Sequence, residues 1–356
     1  MRVPLQCMGE PMKLGSLKNF DPSFELITAT DENISIEGIT DTSEFLPHKI
    51  LFVKNKVFLN QYLESVDAVN VGVVLDKKFA DTLSSEQMDS VKHKSWWIAT
   101  VEEVNLAMSF LSKPFYDEKI GNPNDIVDGR QMGSASIHPS AWIAQGVFIG
   151  ENVSVSENVK IHPGCTIMSG ASIGEGTEIF PNVTIYRNVV IGNHVRIHSQ
   201  CVIGADGFGY NFSKGVHHKV WHTGSVIIGD NVEIGANTCI DSGTFSPTII
   251  GKGTKIDNMV QIGHNCRLGT GVILCGQVGI GGSTTIGDYT VLGGDAKIAN
   301  GIKVGKGVQI AGGSGVTAHI EDGAVVGGFP ARDIKEWMKG VAYLRKHSLE
   351  RKDKNS

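Results

Sequence analysis

The stretch IGENVSVSENVKIHPGCTIMSGASI, residues 149–173, decides the fold, because an aliphatic residue returns at every sixth position. Ile149, Val155, Ile161, Ile167 and Ile173 hold these positions, and small or β-branched residues stand two places before most of them. A period of six cannot follow one face of a 3.6-residue helix, but it suits a short strand followed by a tight corner. The stretch therefore predicts a solenoid of short strands.

The same phase runs from Ile137 to Ile203, restarts from Ile228 to Ile240 and continues from Ile250 to Val316, in runs of twelve, three and twelve hexads. Three hexads close one triangular coil, and neighbouring coils pair as parallel strands about 4.8 Å apart. We therefore predict a left-handed parallel β-helix of about nine coils over residues 137–330.

The remaining chain differs in pattern. Residues 1–118 contain no hexads and combine strand-like runs (VGVVL, SWWIA) with a helical pattern (VEEVNLAMSFL), which predicts a small N-terminal α/β domain. Residues 119–136 are predicted to be a linker, and residues 331–356 a basic C-terminal helix. The repeat is interrupted at residues 204–227 and 241–249. Because insertions in solenoids are usually loops on one face, often the binding face, we expect the functional site there.

Composition restricts the function classes. Glycine is abundant, at 44 of 356 residues, while aromatic residues make up 7%, which suits a repetitive β-structure. The net charge of −5 provides no electrostatic footprint for nucleic acid. We found no apolar run long enough for an integral membrane segment and no signal-peptide pattern, so a cytoplasmic protein is expected.

The strongest candidate for chemistry is His264 in KIDNMVQIGHNC, where polar residues gather as nowhere else in the repeat. A neutral imidazole in a groove is a suitable general base near pH 7. Gly282 lies 18 residues later, one coil on, so its backbone should lie about 5 Å from His264. Its N–H could then stabilise an oxyanion.

A carboxylate that orients His264 would complete the arrangement, and Asp257 is the obvious candidate. The two residues stand at successive corners of one coil, which is too far for a hydrogen bond. Three prisms packed about a three-fold axis would form three equal grooves, so we expect a homotrimer. Asp257 would then serve the site across a groove or by binding substrate.

Three further histidines, His217, His218 and His222, lie in the first insertion. The spacing HH-x-x-x-H leaves a zinc site possible but is a weak signal. We expect no metal ion and no cofactor.

Four segments together resemble UDP-3-O-(3-hydroxyacyl)glucosamine N-acyltransferases of lipid A biosynthesis. ILFVKNKVF (50–58) resembles the family's uridine-binding segment, and GADGFGY (204–210) resembles its glycine-rich loop. VEIGANTCIDSG and KIDNMVQIGHN resemble the run with the catalytic histidine, and GGFPARDIKEWMKGVAYLRK resembles its C-terminal extension. The resemblance covers nearly the whole chain.

The resemblance implies a transfer from an acyl carrier protein thioester to the 2-amine of a UDP-sugar. Phe52 and Phe58 would stack on the uracil, and Asn55 would bond its edge. His264 would take the proton of the amine, and Gly282 N–H would hold the oxyanion. Further substrate contacts are expected from a set in the insertion and around the histidine: Asp206, Phe208, Tyr210, Gln261 and Asn265.

The C-terminal segment also fits this interpretation, since its cations would attract an acidic carrier protein. The residues concerned are Lys335, Lys339, Arg345, Lys346, Arg351 and Lys352.

Several positions depart from the family pattern. Phe58 stands where the family usually has tyrosine, Asp206 replaces glutamate, and Ser242 replaces the arginine of IDRG. A second histidine of the family is Ile302 here, and Lys297, Lys303 or His319 are the residues that could compensate.

Three other classes remain open. An acetyl-CoA-dependent nucleotide-sugar N-acetyltransferase would share the prism but lack the uridine segment. A metal enzyme of the γ carbonic anhydrase kind would need three histidines from adjacent subunits, and only His264 is evident there. A non-catalytic scaffold would have unbroken polar corners.

Overall fold

The computed structural model describes residues 12–28, 31–120, 133–328 and 331–352. Its N-terminal part contains a five-stranded sheet in the order β2-β7-β6-β5-β4, in which β2 pairs antiparallel and the others parallel. β1 and β3 form a separate antiparallel pair. The strands are β1 (Met12–Lys13), β2 (Glu25–Thr28), β3 (Ser35–Ile36), β4 (Gly38–Thr40), β5 (Lys49–Val53), β6 (Gly72–Asp76) and β7 (Trp97–Val101). The helices are a 3₁₀ helix (Leu14–Asn19), α1 (Lys56–Glu64), α2 (Lys77–Ala80), α3 (Ser85–Lys94) and α4 (Val104–Ile120).

The three central strands have near-continuous apolar sequences because both faces of the sheet are covered. KILFV, GVVLD and WIATV are buried along most of their length. Leu111 and Phe115 of α4 belong to the core on one face, while Leu59 of α1 and Val91 of α3 belong to the core on the other. Helices thus cover both faces of the sheet, and α4 lies on the face that contacts the rest of the chain.

Residues 136–326 form the left-handed parallel β-helix, a triangular prism with three parallel sheets that we call faces I, II and III. Face I consists of β8 (Ser136–Ile137), β11 (Ser154–Val155), β14 (Ser172–Ile173), β17 (Val190–Ile191), β22 (Val226–Ile228), β25 (Thr248–Ile250), β28 (Arg267–Leu268), β31 (Thr285–Ile286) and β34 (Lys303–Val304). Face II consists of β9 (Trp142–Ile143), β12 (Lys160–Ile161), β15 (Glu178–Ile179), β18 (Arg196–Ile197), β23 (Glu233–Ile234), β26 (Lys255–Ile256), β29 (Ile273–Leu274), β32 (Val291–Leu292), β35 (Gln309–Ile310) and β37 (Val325–Val326). Face III consists of β10 (Phe148–Ile149), β13 (Thr166–Ile167), β16 (Thr184–Ile185), β19 (Val202–Asp206), β24 (Cys239–Ser242), β27 (Gln261–Ile262), β30 (Gly279–Ile280), β33 (Lys297–Ile298) and β36 (Gly315–Val316).

The register confirms the hexad pattern. Each regular coil pairs residues 18 apart, as in Ile149 with Ile167. The predicted aliphatic positions fill the prism interior, and Ile161, Ile197 and Ile262 are fully buried. The nine predicted coils are present, and β37 adds one further strand to face II.

The corners explain the choice of residues between the strands. Asparagines take left-handed backbone conformations at the corners, with φ between 56° and 61°, a region that asparagine tolerates better than most residues. These corner residues are Asn152, Asn158, Asn182, Asn188, Asn231, Asn237 and Asn265. Buried threonines satisfy their hydroxyls across a coil, for example Thr290 to the Gly305 carbonyl at 2.7 Å.

The segments outside the prism refine the predicted boundaries. α4 extends to Ile120, inside the predicted linker, and the first prism strand begins at Ser136. Most of that linker, residues 121–132, lies outside the described residues. After the prism, α5 (Ile334–Lys352) forms the C-terminal helix. No helix among the described ranges is long and apolar enough to cross a membrane.

Candidate active site

Both insertions and His264 emerge from one corner of the prism, where face III passes into face I. The first insertion connects β19 to β22, the second connects β24 to β25, and His264 lies in the turn from β27 to β28. These strands are successive neighbours on faces III and I. Three consecutive turns are therefore stacked at the III–I corner. This stacking brings the two insertions and His264 together.

The first insertion docks on the N-terminal domain. Its hairpin, β20 (Tyr210–Ser213) and β21 (Val216–Lys219), lies against α4. Asn211 Nδ2 donates to Ser109 Oγ at 2.9 Å, and the Trp221 N–H donates to Ser112 Oγ at 3.1 Å. The Trp221 ring also contacts the Tyr116 ring, with centroids 4.7 Å apart. The insertion thus joins the prism to the α/β domain.

The second insertion makes the other half of this junction. Phe245 packs against the core beneath α4, with its ring centroid 6.5 Å from that of Phe52. Ser246 Oγ lies 3.0 Å from Ser43 Oγ, and Arg267 Nη2 donates to the same Ser43 hydroxyl at 3.2 Å. The nucleotide segment predicted at residues 50–58 is therefore on a domain that touches the His264 corner.

The neighbouring Asn265 side chain determines the tautomer of His264. The Thr244 N–H donates to Asn265 Oδ1 at 3.0 Å, and Asn265 Nδ2 donates to the Ser246 carbonyl at 3.1 Å, which identifies the oxygen and nitrogen of the amide. His264 Nδ1 lies 3.0 Å from the same Oδ1, an acceptor, so Nδ1 carries the proton. His264 Nε2 is then left with its lone pair, as a general base requires.

Gly282 lies over the face of the His264 ring, because its Cβ position is nearly equidistant from Nε2, Cε1 and Cδ2. A Cβ placed on Gly282 would lie 2.6 Å from His264 Nε2. The Ser283 N–H donates to the His264 carbonyl at 2.7 Å, which aligns the two turns. The hydrogen bonds of the described chain assign no acceptor to the Gly282 N–H. A base and a free backbone donor therefore lie side by side, as the 18-residue spacing predicts.

Asp257 does not orient His264 within one chain. It is exposed at the corner between faces II and III, and its Oδ1 accepts from the Asn258 N–H at 2.8 Å. Within the part of the chain that the structure describes, no hydrogen bond joins Asp257 to His264. One strand of face III separates their corners. Asn265, which the sequence suggested as a substrate contact, provides the orienting bond instead.

Gln261 leads to a carboxylate that the sequence analysis missed. Gln261 Nε2 donates to Asp241 Oδ1 at 3.0 Å across neighbouring strands of face III. Burial raises the pKa of Asp241, while the bond from Gln261 and the nearby His264 act in the opposite direction. The register could have revealed this contact, because β24 pairs with β27 with Cys239 opposite Gln261.

His222, which the sequence suggested only as part of a weak zinc pattern, also lies at this corner. It is 1% exposed, and its ring centroid lies 5.6 Å from that of His264 at an interplanar angle of 74°. Burial lowers its pKa to about 4. His217 and His218 lie elsewhere, against Phe212 and Phe110, so the three histidines do not converge as a zinc site would need.

The position of the family's second histidine is a core position in this chain. Ile302 is 7% exposed and belongs to the apolar interior of the prism. Lys297 Nζ pairs with Asp295 at 2.6 Å, and His319 Nδ1 accepts the Lys303 N–H at 2.9 Å. Lys297 and His319 therefore have structural partners of their own.

The GADGFGY loop lies over the two imidazoles. A Cβ on Gly207 would lie 2.6 Å from His264 Cβ and 3.0 Å from His222 Nε2. Asp206 pairs with Lys219 at 2.8 Å. Phe208 is 85% exposed, and its ring lies 5.1 Å from that of Tyr210. The loop therefore presents aromatic side chains to solvent beside His264.

The predicted nucleotide residues occupy different environments. Phe52 is 6% exposed, Phe58 is half-buried on the other side of the sheet, and Asn55 is exposed. Asn55 Oδ1 caps α1 by accepting the Val57 and Phe58 N–H groups. The oxygen of the Asn55 side chain is therefore engaged within its own helix, and only the amide nitrogen is left to donate to a ligand. Beside it, Lys54 Nζ lies 4.9 Å from the Phe58 ring centroid.

The low pKa of His222 predicts a measurable dependence of stability on pH. The unfolded chain takes up this proton near pH 6.5, whereas the folded chain does so only near pH 4. The free energy of unfolding should therefore fall as pH drops through this window, by up to about 1.4 kcal/mol per pH unit for this one group. His222→Gln should lose less stability than the unchanged protein between pH 7 and pH 5 in urea denaturation. Equal losses in the two proteins would contradict a buried neutral imidazole.

Residues 170–205 match the family model described as bacterial transferase hexapeptide (six repeats). The fold and this match define the class of the protein, a hexapeptide-repeat left-handed β-helix. Within that class the chain is similar to the UDP-3-O-acylglucosamine N-acyltransferase of Desulfotalea psychrophila, at 56% identity over 162 residues, or 45% of this chain and 47% of that protein. The enzyme of the same name from Wolinella succinogenes is 42% identical over 161 residues, 45% of this chain and 50% of that protein.

These relatives confirm the resemblance over 45% of this chain, and the chain spans about half the length of the curated relatives it matches. Among solved structures, a UDP-N-acetylglucosamine acyltransferase from Campylobacter jejuni aligns with 52% of this chain and 68% of that chain, at 31% identity and a TM-score of 0.40.

Proposed function

We propose that the protein is an N-acyltransferase that moves a 3-hydroxyacyl chain from acyl carrier protein to the 2-amine of UDP-3-O-(3-hydroxyacyl)glucosamine. The observation that carries this proposal is His264, whose Nδ1 bonds to Asn265 and leaves Nε2 for substrate, beside a Gly282 N–H that has no acceptor in the described chain. Acyl transfer to an amine needs both groups, a base for the nitrogen and a donor for the oxyanion. The names of the curated relatives supply the sugar.

The reaction can be written with the residues at this corner. The amine nitrogen attacks the thioester carbonyl carbon, and His264 Nε2 takes a proton from that nitrogen. The Gly282 N–H donates to the oxyanion of the tetrahedral intermediate. The carbon–sulfur bond then breaks, and the departing thiolate takes the proton from His264. The products are the N-acylated sugar nucleotide and the free thiol of the carrier protein, and each step uses only groups of the chain and its two substrates.

The experiment that tests this proposal is a transfer assay with the purified protein. With 3-hydroxyacyl carrier protein and UDP-3-O-acylglucosamine, we expect a UDP-sugar that carries acyl chains on both the 2-nitrogen and the 3-oxygen. Acetyl-CoA should not replace the carrier protein thioester. Transfer from acetyl-CoA alone would reject this function in favour of a nucleotide-sugar N-acetyltransferase.

The charge distribution over the prism supports the proposed homotrimer. The outward residue of most hexads on face III is small or uncharged, as at Thr166, Thr184 and Cys239, whereas face II carries a row of charged residues. Interface cores are depleted in charge, which argues against face II as the contact between subunits. Face I is also mostly uncharged, and we propose face III because it lies between Asp257 and His264. Asp257 and His264 lie at opposite edges of face III, so Asp257 of one copy would approach His264 of the next. The charged row on face II is Lys160, Glu178, Arg196, Glu233 and Lys255.

We further propose that α5 contributes to docking of the acyl carrier protein. Lys335, Lys339, Arg345 and Lys346 are exposed on this helix. The side chains of Arg351 and Lys352 lie outside the described residues. A cluster of cations attracts an acidic partner over a distance of about one Debye length, roughly 8–10 Å at moderate salt.

Uracil recognition by Asn55 leads to a separate prediction. Asn55→Asp keeps a good N-cap for α1 but replaces the amide donor with a negative charge. The KM for the UDP-sugar should rise about tenfold, because the loss of one hydrogen bond weakens binding by about that factor, while kcat should change little. Ser84→Asp, at the N-cap of α3, is the matched control and should leave KM unchanged. Steady-state kinetics at varied UDP-sugar concentration make the measurement, and an unaltered KM in Asn55→Asp would remove Asn55 from the nucleotide site.

A further inference from the structure

His222 has one nitrogen with a partner and one without. Its Nδ1 lies 3.0 Å from the Val220 carbonyl oxygen, which can only accept, so Nδ1 carries the ring proton. Nε2 therefore presents a lone pair, and it is buried without a hydrogen-bond donor among the described residues. Native structures rarely leave a buried polar atom unpaired, and such an atom often marks a binding function.

The lone pair lies close to the proposed base. The Gly207 main chain lies against both imidazoles, and a Cβ there would lie 3.0 Å from His222 Nε2 and 3.1 Å from His264 Cδ2. Gly209 lies on the same side, with its Cβ position 2.9 Å from His222 Cε1. The cover over Nε2 is thus glycine backbone without side chains.

His222 also lines a cavity of about 40 Å³ at the same corner. A buried site needs roughly 10–15 Å³ of such space to hold one water molecule, so the cavity has room for at least one hydroxyl group. The other polar walls include Tyr116, Asp206 and Ser242. A small donor group therefore fits beside the His222 side chain.

We propose that His222 is a substrate-binding residue whose Nε2 accepts a hydrogen bond from a donor of the amino sugar held at His264. This inference rests on the proposed function. The sugar of that reaction is linked through C1 to phosphate and through O3 to an acyl chain, so its donors are the 2-amine and the hydroxyls at C4 and C6. A ring with its proton on Nδ1 offers no donor at Nε2. His222 therefore does not replace the family's second histidine as a contact to phosphate or oxyanion.

Two substitutions separate this role from a structural one. His222→Asn introduces a side chain no larger than the imidazole, keeps a donor near the Val220 carbonyl and withdraws the acceptor from the position of Nε2. His222→Gln loses the donor near the Val220 carbonyl but keeps an acceptor at the position of Nε2, because its longer side chain carries the amide to that position. His217→Asn, on the exposed hairpin of the same insertion, is the matched control. The substrates are UDP-3-O-acylglucosamine and its 4-deoxy and 6-deoxy analogues, and thermal unfolding checks each variant.

His222→Asn should lower kcat/KM for the parent sugar about 10- to 100-fold, as expected when one buried hydrogen bond is lost. His222→Gln should retain most activity, and His217→Asn all of it. If the donor is a hydroxyl, the unchanged protein should have a lower kcat/KM for the analogue that lacks this hydroxyl than for the parent sugar. His222→Asn should have the same kcat/KM for both sugars. If it is the amine, both analogues behave as the parent in every variant.

Two results would overturn the inference. Activity of His222→Asn equal to that of the unchanged protein would exclude a substrate contact. A larger loss in His222→Gln than in His222→Asn would show that the bond to Val220 is what matters. Failure of the unchanged protein to acylate the parent sugar would instead reject the proposed function, so the two failures are distinguishable.

Discussion

Replacing His264 with alanine is expected to lower kcat about 10²- to 10⁴-fold, the usual contribution of a general base. Asn265 holds the Nδ1 proton, so Nε2 is the nitrogen that takes the proton from the amine. The KM for the UDP-sugar should change much less, because the predicted nucleotide residues lie on the N-terminal domain. Initial rates with acyl carrier protein thioester and UDP-3-O-acylglucosamine provide the measurement.

The control for this substitution is His198→Ala. His198 is also a corner histidine of the prism, stacked on Phe180 with centroids 4.7 Å apart, but it lies at the corner between faces II and III. Its loss should leave kcat unchanged. Comparable rates for His264→Ala and His198→Ala would show that the imidazole at 264 is not the base.

The second large effect is expected from Gly282→Ala. The new methyl group would lie 2.6 Å from His264 Nε2 and 2.8 Å from Cε1, closer than atoms can approach, so the imidazole or the turn must move. A misplacement of about 1 Å at a reacting group costs about 10²-fold in rate, and we expect a fall in kcat of that order.

Gly328→Ala is the matched control for this change. Gly328 lies just after the last prism strand and away from face III, and a Cβ there meets no atom within 4 Å. Its activity and stability should be close to those of the unchanged protein. Full activity in Gly282→Ala would mean that Nε2 can relocate without cost, which is inconsistent with a base fixed against this turn.

The prism could be predicted from the sequence because the six residues of each hexad specify one strand and one corner without help from distant residues. Ile161 and Ile197 belong to uninterrupted runs, and both are fully buried at the predicted positions. The end of the solenoid was harder to place. β37 lies beyond the last regular hexad, after a stretch in which Val304 pairs with Ile320 through an isolated bridge. Sixfold periodicity does not predict such irregular pairing.

The candidate site was predictable only where it follows the coil register. Gly282 could be placed beside His264 because 18 residues make one coil, and the same reasoning placed Asp257 at another corner. Asp241 needed one more step, since it lies diagonally across strands from Gln261. The coil register contains this information, although no single hexad shows it.

His222 could not be placed by any periodic argument. It lies in the first insertion, whose path depends on packing against α4 through contacts such as Trp221 with Ser112. Long-range contacts of this kind leave no repeat in the sequence. The histidine-rich spacing there suggested a metal, whereas the fold separates His217 and His218 from His222 and buries only His222.

The central claim is that His264 Nε2 is the atom that receives the proton of the attacking amine. A structure of the assembled protein with UDP-3-O-acylglucosamine bound tests it most directly. The account predicts the 2-amine nitrogen within about 3.2 Å of His264 Nε2, on the side where the Gly282 N–H is also exposed. A sugar whose amine lies out of reach of that nitrogen, for example against Asp257 of the same chain, would contradict it.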